Sequence, residues 1–176
     1  MNITFENLSK QQVGMVQMAM EMAEKSALSF RVGSVLCNSG IKIVGNCNRH
    51  GDQIQDPFGS IHNVCAIHAE IGVCIEYYHR FKKNLKSFRD VKKLILCVVR
   101  RNRNGNLRNA KPCMECTDYL KKWMPCKILY STDDGFFLGK ISELESDHLS
   151  YVQMKRRRAT NGRLSTSRSV LPDEFN

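Results

Sequence analysis

The chain has 176 residues, 42% hydrophobic and 25% charged, the balance of a globular domain rather than a disordered chain. That length can bury a core without disulfide staples, and no apolar run approaches the ~18 residues of a membrane-spanning helix, so no membrane partner is expected. The formal charge of +10 calls for an anionic partner.

The start, Met1 to Glu6, lacks a basic segment followed by an apolar one, so a soluble, cytoplasmic protein is expected. Ser9-Lys10-Gln11-Gln12 has the form of a capping box and predicts a helix start. Val13, Val16, Met20, Ala23 and Ala27 follow at helical spacing and place an apolar stripe on a helix ending near Leu28. Val32–Cys37 and Ile41–Cys47 read as strands. Asn38-Ser39-Gly40 turns between them, so they pair as a hairpin. Residues 49–64, with Gly51, Pro57 and Gly59, read as a loop. Helical spacing returns from Ile67 through Ile71, Cys74, Ile75, Tyr78 and Phe81.

Val91–Arg101 contains a fully apolar run, as in a strand buried on both faces. Asn104-Gly105 predicts that this strand turns back before residue 110. Pro112 suits the first position of a third helix running to about Met124. Lys127–Ser131 is a short strand, and Phe136-Phe137-Leu138 either another strand or a hydrophobic flap. The order of helices and strands predicts an α/β layered domain around one mixed sheet. We place it at residues 1–154, with a basic, flexible tail at 155–176.

The charge is concentrated. Arg80–Lys111 holds twelve Lys or Arg and one acid, Asp90, and the tail adds +4. The remainder is net negative. A solvated helix face and a frayed tail would carry such charge, as would a surface for phosphate, on a nucleotide or along nucleic acid.

Of the eight cysteines, Cys37, Cys74 and Cys97 sit in apolar runs and read as small core residues. Cys113 and Cys116 differ, because they form Pro-Cys-x-x-Cys at a helix start. His68-Ala69-Glu70 opens the preceding helix. One His and two Cys give three zinc ligands, and three ligands with an open position mark a catalytic zinc site. Cys113 and Cys116 share a helix face, in a first turn where the helix dipole favours thiolates. His68 and Glu70 are ~200° apart on an ideal helix, so both border one site only if that helix points its N-terminus at it. Glu70, beside a ligand but not one itself, suits a proton shuttle. Cys47-x-x-His50 and His62-x-x-Cys65 together have finger-like spacing, but core cysteines and loop histidines explain them as well, so one catalytic zinc and no second, structural zinc is expected.

The pattern H-x-E…P-C-x-x-C is the signature of zinc-dependent nucleobase deaminases. From about Phe30 to Ser131 the chain resembles the cytidine and deoxycytidylate deaminase superfamily. The resemblance implies a three-layer α-β-α cytidine-deaminase-like domain with a central mixed sheet, zinc held by His68, Cys113 and Cys116, and proton transfer by Glu70. It also implies that Asn48, in Val44-Gly45-Asn46-Cys47-Asn48-Arg49, holds a sugar hydroxyl, and that the protein is a homo-oligomer. The implied reaction replaces the amine at C4 of cytosine, or C6 of adenine, and releases ammonia.

His-Ala-Glu is similar to deoxycytidylate, tRNA-adenosine and polynucleotide cytidine deaminases. Gly72 departs from the asparagine that deoxycytidylate deaminases commonly carry two residues after this motif, and Thr117-Asp118-Tyr119-Leu120 departs from tRNA-adenosine deaminases. The leading expectation is a deaminase of the cytosine of a small nucleotide such as dCMP. The alternative is a polynucleotide (RNA or single-stranded DNA) cytidine or adenosine deaminase, reached through Arg80–Lys111 and the tail.

Overall fold

A computed structural model of the protein describes residues 2–51, 53–55, 61–63, 66–81 and 91–149. The expected tail at 155–176 and residues 82–90 of the basic segment lie outside the described residues, as do Cys65 and the side chain of His62.

Strand β1 (Asn2–Ile3) precedes helix α1 (Lys10–Glu24). Ser9 caps α1: its Oγ accepts from the Gln12 N–H at 3.3 Å and its own N–H donates to Gln12 Oε1 at 2.8 Å. The expected capping box is therefore formed. The buried stripe, however, is Met15, Val16, Ala19, Met22 and Ala23. Val13 and Met20 flank it, and Ala27 is exposed beyond the helix end. Close packing on the sheet rotates the face: a Cβ on Gly33 would lie 2.1 Å from the Ala19 carbonyl oxygen and 2.3 Å from the Ala23 nitrogen. Alanines on the helix and a glycine, without a side chain, on the strand permit that approach.

β2 (Arg31–Asn38) and β3 (Ile41–Cys47) pair antiparallel. Their turn places Ser39 at φ 49° and Gly40 at φ 83°, a primed turn that matches strand twist. The expected loop at 49–64 instead holds three short strands, β4 (Arg49–His50), β5 (Gln53–Gln55) and β6 (Ile61–Asn63), and β7 (Ala66–Ile67) follows it. β4 pairs with β7 and β5 with β6. Two or three residues are too few to show a strand period, which is why composition reads them as loop.

Helix α2 (Ala69–Phe81) follows, then β8 (Ile95–Arg101) and β9 (Leu107–Arg108). Here the Asn104-Gly105 signal gives a hairpin: the Gly105 N–H donates to the Asn102 carbonyl at 3.0 Å and Gly105 has φ 84°. Asn104 keeps a negative φ, so the turn is type I closed by a left-handed glycine rather than the two-residue primed form. Helix α3 (Met114–Trp123), β10 (Lys127–Ser131) and β11 (Phe136–Lys140) complete the order. Phe136–Leu138 thus belongs to a strand, paired with both β10 and β1.

The main sheet runs β1-β11-β10-β8-β2-β3, with β9 also on β8. Only β8 and β10 pair parallel among its described ladders. Both faces are covered. Val35, Cys37, Cys97, Val99 and Leu129 pack under α1, while Leu36, Val44, Leu96, Val98 and Ile128 pack under α2 and α3. This alternation accounts for the unbroken apolar run in β8. The architecture is the expected three-layer α-β-α domain with a central mixed sheet. No helix among the described residues is long and apolar enough to cross a membrane. Cys37, Cys74 and Cys97 are fully buried in the core.

Candidate metal centre

Two helix N-termini converge on one point of the α2/α3 layer. His68 immediately precedes α2, and its carbonyl accepts from the Gly72 N–H at 2.9 Å. Cys113 is the N-cap of α3, with φ −68° and ψ 169°, and its carbonyl accepts from the Thr117 N–H at 2.8 Å. Pro112 therefore sits one step outside the helix, not at its first position. Cys116, a turn later, returns to the same side. Met114, at the first helical position, donates its N–H to the His148 carbonyl at 2.9 Å, so the segment after β11 crosses this helix end. Sequence reasoning gave no sign of that crossing.

The His68 Nδ1 lies 3.0 Å from Cys116 Sγ and 3.6 Å from Cys113 Sγ. The three ligand atoms all fall within 4.8 Å of one another. A tetrahedral zinc with normal bond lengths needs N···S of ~3.5 Å and S···S of ~3.8 Å. The donor set fits zinc in kind and in spacing. It is the one such group of three among the described residues. Cys113 and Cys116 are buried and His68 half-buried.

The protons at the centre follow from these contacts. The Cys116 thiol hydrogen-bonds to the Cys113 sulfur, and with His68 alongside it holds Cys113 down to about 4 against the effect of burial. His68, bonded to that thiolate and beside Glu70, is pushed up to about 9 despite its desolvation. Cys116 is raised well above an ordinary thiol, first by its bond to Cys113, then by burial and the Glu70 charge. Without a metal, the trio near neutral pH is an imidazolium, a thiolate and a thiol.

Glu70, the second residue of α2, is only 5% exposed. Burial raises its pKa, while His68 opposes the shift. Its carboxylate lies close to the Cys116 sulfur and the His68 ring, so helix direction reconciles the ~200° separation of His68 and Glu70. Glu115 also adjoins a ligand in sequence, but it is exposed.

Asn48 lies between β3 and β4 and has a defined structural task. Its Oδ1 accepts from the Val32 N–H at 2.8 Å and its Nδ2 donates to the Phe30 carbonyl at 2.6 Å. Its own carbonyl accepts from Ser26 Oγ at 2.8 Å. It thus ties the end of α1 and the entry to β2 to the end of β3. Cys47 and His50 are half-buried and exposed respectively.

No protein-family profile and no curated protein matches the chain. Among solved structures it is similar to a point mutant of cytidine deaminase from Mycobacterium tuberculosis, with 16% identity and a TM-score of 0.42 over 77% of this chain and 95% of that one. Those values are too low to transfer an activity.

Proposed function

We infer that the protein is a zinc-dependent hydrolytic deaminase acting on the cytosine of a small nucleotide such as dCMP. The observation that carries this reading is the meeting of His68, Cys113 and Cys116 beside the buried Glu70. Three ligands leave a tetrahedral metal one open position, and a purely structural site has no use for a buried carboxylate next to it. The pattern His-x-Glu with Pro-Cys-x-x-Cys supports the choice of nucleobase deamination over other hydrolyses.

Zinc, when bound, supplies a water that ionises near neutral pH. The residues of the chain do the remainder. His68 and the two cysteines orient the open position from two helix ends. Glu70 accepts the water proton and delivers it to the ring nitrogen next to the amine-bearing carbon. The second water proton, moved from the new hydroxyl to the amine, completes the exchange: the C–N bond breaks, the water oxygen becomes the new carbonyl, and ammonia leaves. The raised pKa of Glu70 fits a group that must both take and give a proton.

Removing the proton carrier tests this. Glu70→Gln is expected to keep its zinc while ammonia release falls ~10²–10⁴-fold, the usual range for losing an acid–base group. Undiminished release from the variant contradicts the role.

The concentration of positive charge in Arg80–Lys111 favours a second reading, deamination within RNA or single-stranded DNA. Extended phosphate contact gives a steep loss of binding with salt, a single phosphate a shallow one.

A further inference from the structure

We propose that the arginines around the β8–β9 hairpin form the binding site for the substrate's phosphate, which makes a phosphorylated nucleotide rather than a free nucleoside the substrate. This rests on the deaminase reading and assigns the residues that would set its specificity.

The site is a cleft of about 440 Å³ lined in part by Phe30, Arg100, Arg101, Arg103, Arg108 and Asp133. That volume suits a small-molecule pocket. Four arginines and one acid, Asp133, line it. Arg101 is neutralised by Glu24 and Arg108 lies 3.7 Å from Asp133. Arg100 and Arg103 have no acidic partner among the described residues. Exposed charges on a solvated face spread apart. Here Arg100 and Arg103 line one concavity with two further arginines, where like charges repel unless an anion sits between them. The guanidinium fork matches phosphate geometry.

Two of these side chains are held in place. The Arg100 guanidinium lies over the Phe30 ring, 4.8 Å from its centroid. The Phe30 carbonyl is in turn fixed by Asn48 at 2.6 Å. Arg101 Nε donates to the Gly105 carbonyl at 3.0 Å, and a Cβ on Gly105 would come within 2.8 Å of Arg101 Nη2. The hairpin turn is thus shaped around an arginine.

The cleft adjoins the metal centre along the chain. Asn109, on the cleft wall, precedes Cys113 by four residues, so their Cα atoms are at most ~14 Å apart. Ala110, between them, is anchored to the Ser131 carbonyl at 2.8 Å. On this reading the base sits at the metal centre and the phosphate among these arginines. Phe30, 60% exposed at the cleft edge, offers a ring face to the sugar or base.

The test separates binding from turnover. Zinc-loaded protein is titrated calorimetrically with dUMP and with deoxyuridine, and kcat/KM is measured for dCMP and deoxycytidine. The same is done for the Arg100→Gln/Arg103→Gln double variant. The native protein is expected to bind dUMP at least ~10-fold tighter than deoxyuridine, the effect of about 1.4 kcal/mol. In the variant that preference, and the dCMP-to-deoxycytidine ratio of kcat/KM, should fall towards one. Equal binding of dUMP and deoxyuridine by the native protein overturns the proposal even if ammonia is released. Arginine-dependent dUMP binding without ammonia release from any substrate supports the phosphate site and counts against the deaminase reading alone. An oligo(dC) lacking a terminal phosphate serves as the second arm. If it binds through these arginines and dUMP does not, the mononucleotide assignment is overturned in favour of a strand.

Discussion

Metal binding at His68, Cys113 and Cys116 should expel two protons near pH 7. Zinc takes neutral imidazole and thiolate sulfur. Without metal, His68 is held up to about 9 and is protonated. Cys113 is held down to about 4 and is already ionised. Cys116 is raised well above an ordinary thiol and keeps its proton. The imidazolium and the Cys116 thiol must each lose a proton, and Cys113 contributes none. The apparent affinity therefore rises with pH in the window above about 4 and below about 9, by ~100-fold for each unit. That corresponds to ~2.7 kcal/mol per unit, twice the 1.36 kcal/mol of a single proton. Competition against a chromophoric chelator from pH 6 to 8 gives the slope. Titration of zinc in two buffers of different ionisation enthalpy gives the proton count independently. A slope near zero, or release of three protons at pH 7, refutes the ion-pair arrangement of the trio. Replacing Cys116 by Ala should weaken zinc binding, because one of the three ligands is lost.

Two further perturbations test the frame that holds the site. Gly33→Ala inserts a methyl group against the α1 backbone, 2.1 Å from the Ala19 carbonyl oxygen, and neither backbone can yield. A loss of ~3 kcal/mol, at the upper end for overpacking, is expected in denaturant unfolding, and a change below ~0.5 kcal/mol contradicts the close approach. Asn48→Ala removes the bonds to Phe30 and Val32 and leaves their backbone groups without those partners. About 1–3 kcal/mol for a stranded buried group should appear in the same unfolding assay, with weaker dUMP binding because Phe30 is released. Unaltered stability shows that Asn48 does not hold this segment.

The ligand trio and Glu70 could be singled out in the sequence because their chemistry depends on short spacings at helix starts. The Ser9 capping box and the hairpin at Asn38–Gly40 were legible for the same reason: each closes within four residues. The orientation of α1 was not legible, since Ala19 and Ala23 face the sheet only because Gly33, across the layer, makes room. The extended state of Phe136–Leu138 depends on pairing with β10 and β1, one of them at the opposite end of the chain. The strands between residues 49 and 67 leave no periodic trace. Nor could the sequence separate the arginines that meet in the cleft from the other basic residues of Arg80–Lys111. The placing of Arg100, Arg103 and Arg108 in one cleft depends on the β8–β9 turn and on Phe30, which arrives from before β2.

The proposed function is removal of ammonia from a cytosine nucleotide at this centre. Its most direct test is ammonia release by zinc-loaded and chelator-treated protein given dCMP, deoxycytidine, CMP, cytidine, dCTP, guanine and cytosine- or adenine-containing oligonucleotides. Zinc-dependent ammonia in equal amount to the uracil product, with dCMP turned over fastest, is the predicted result. No ammonia from any of these substrates, with zinc bound at His68, Cys113 and Cys116, contradicts it.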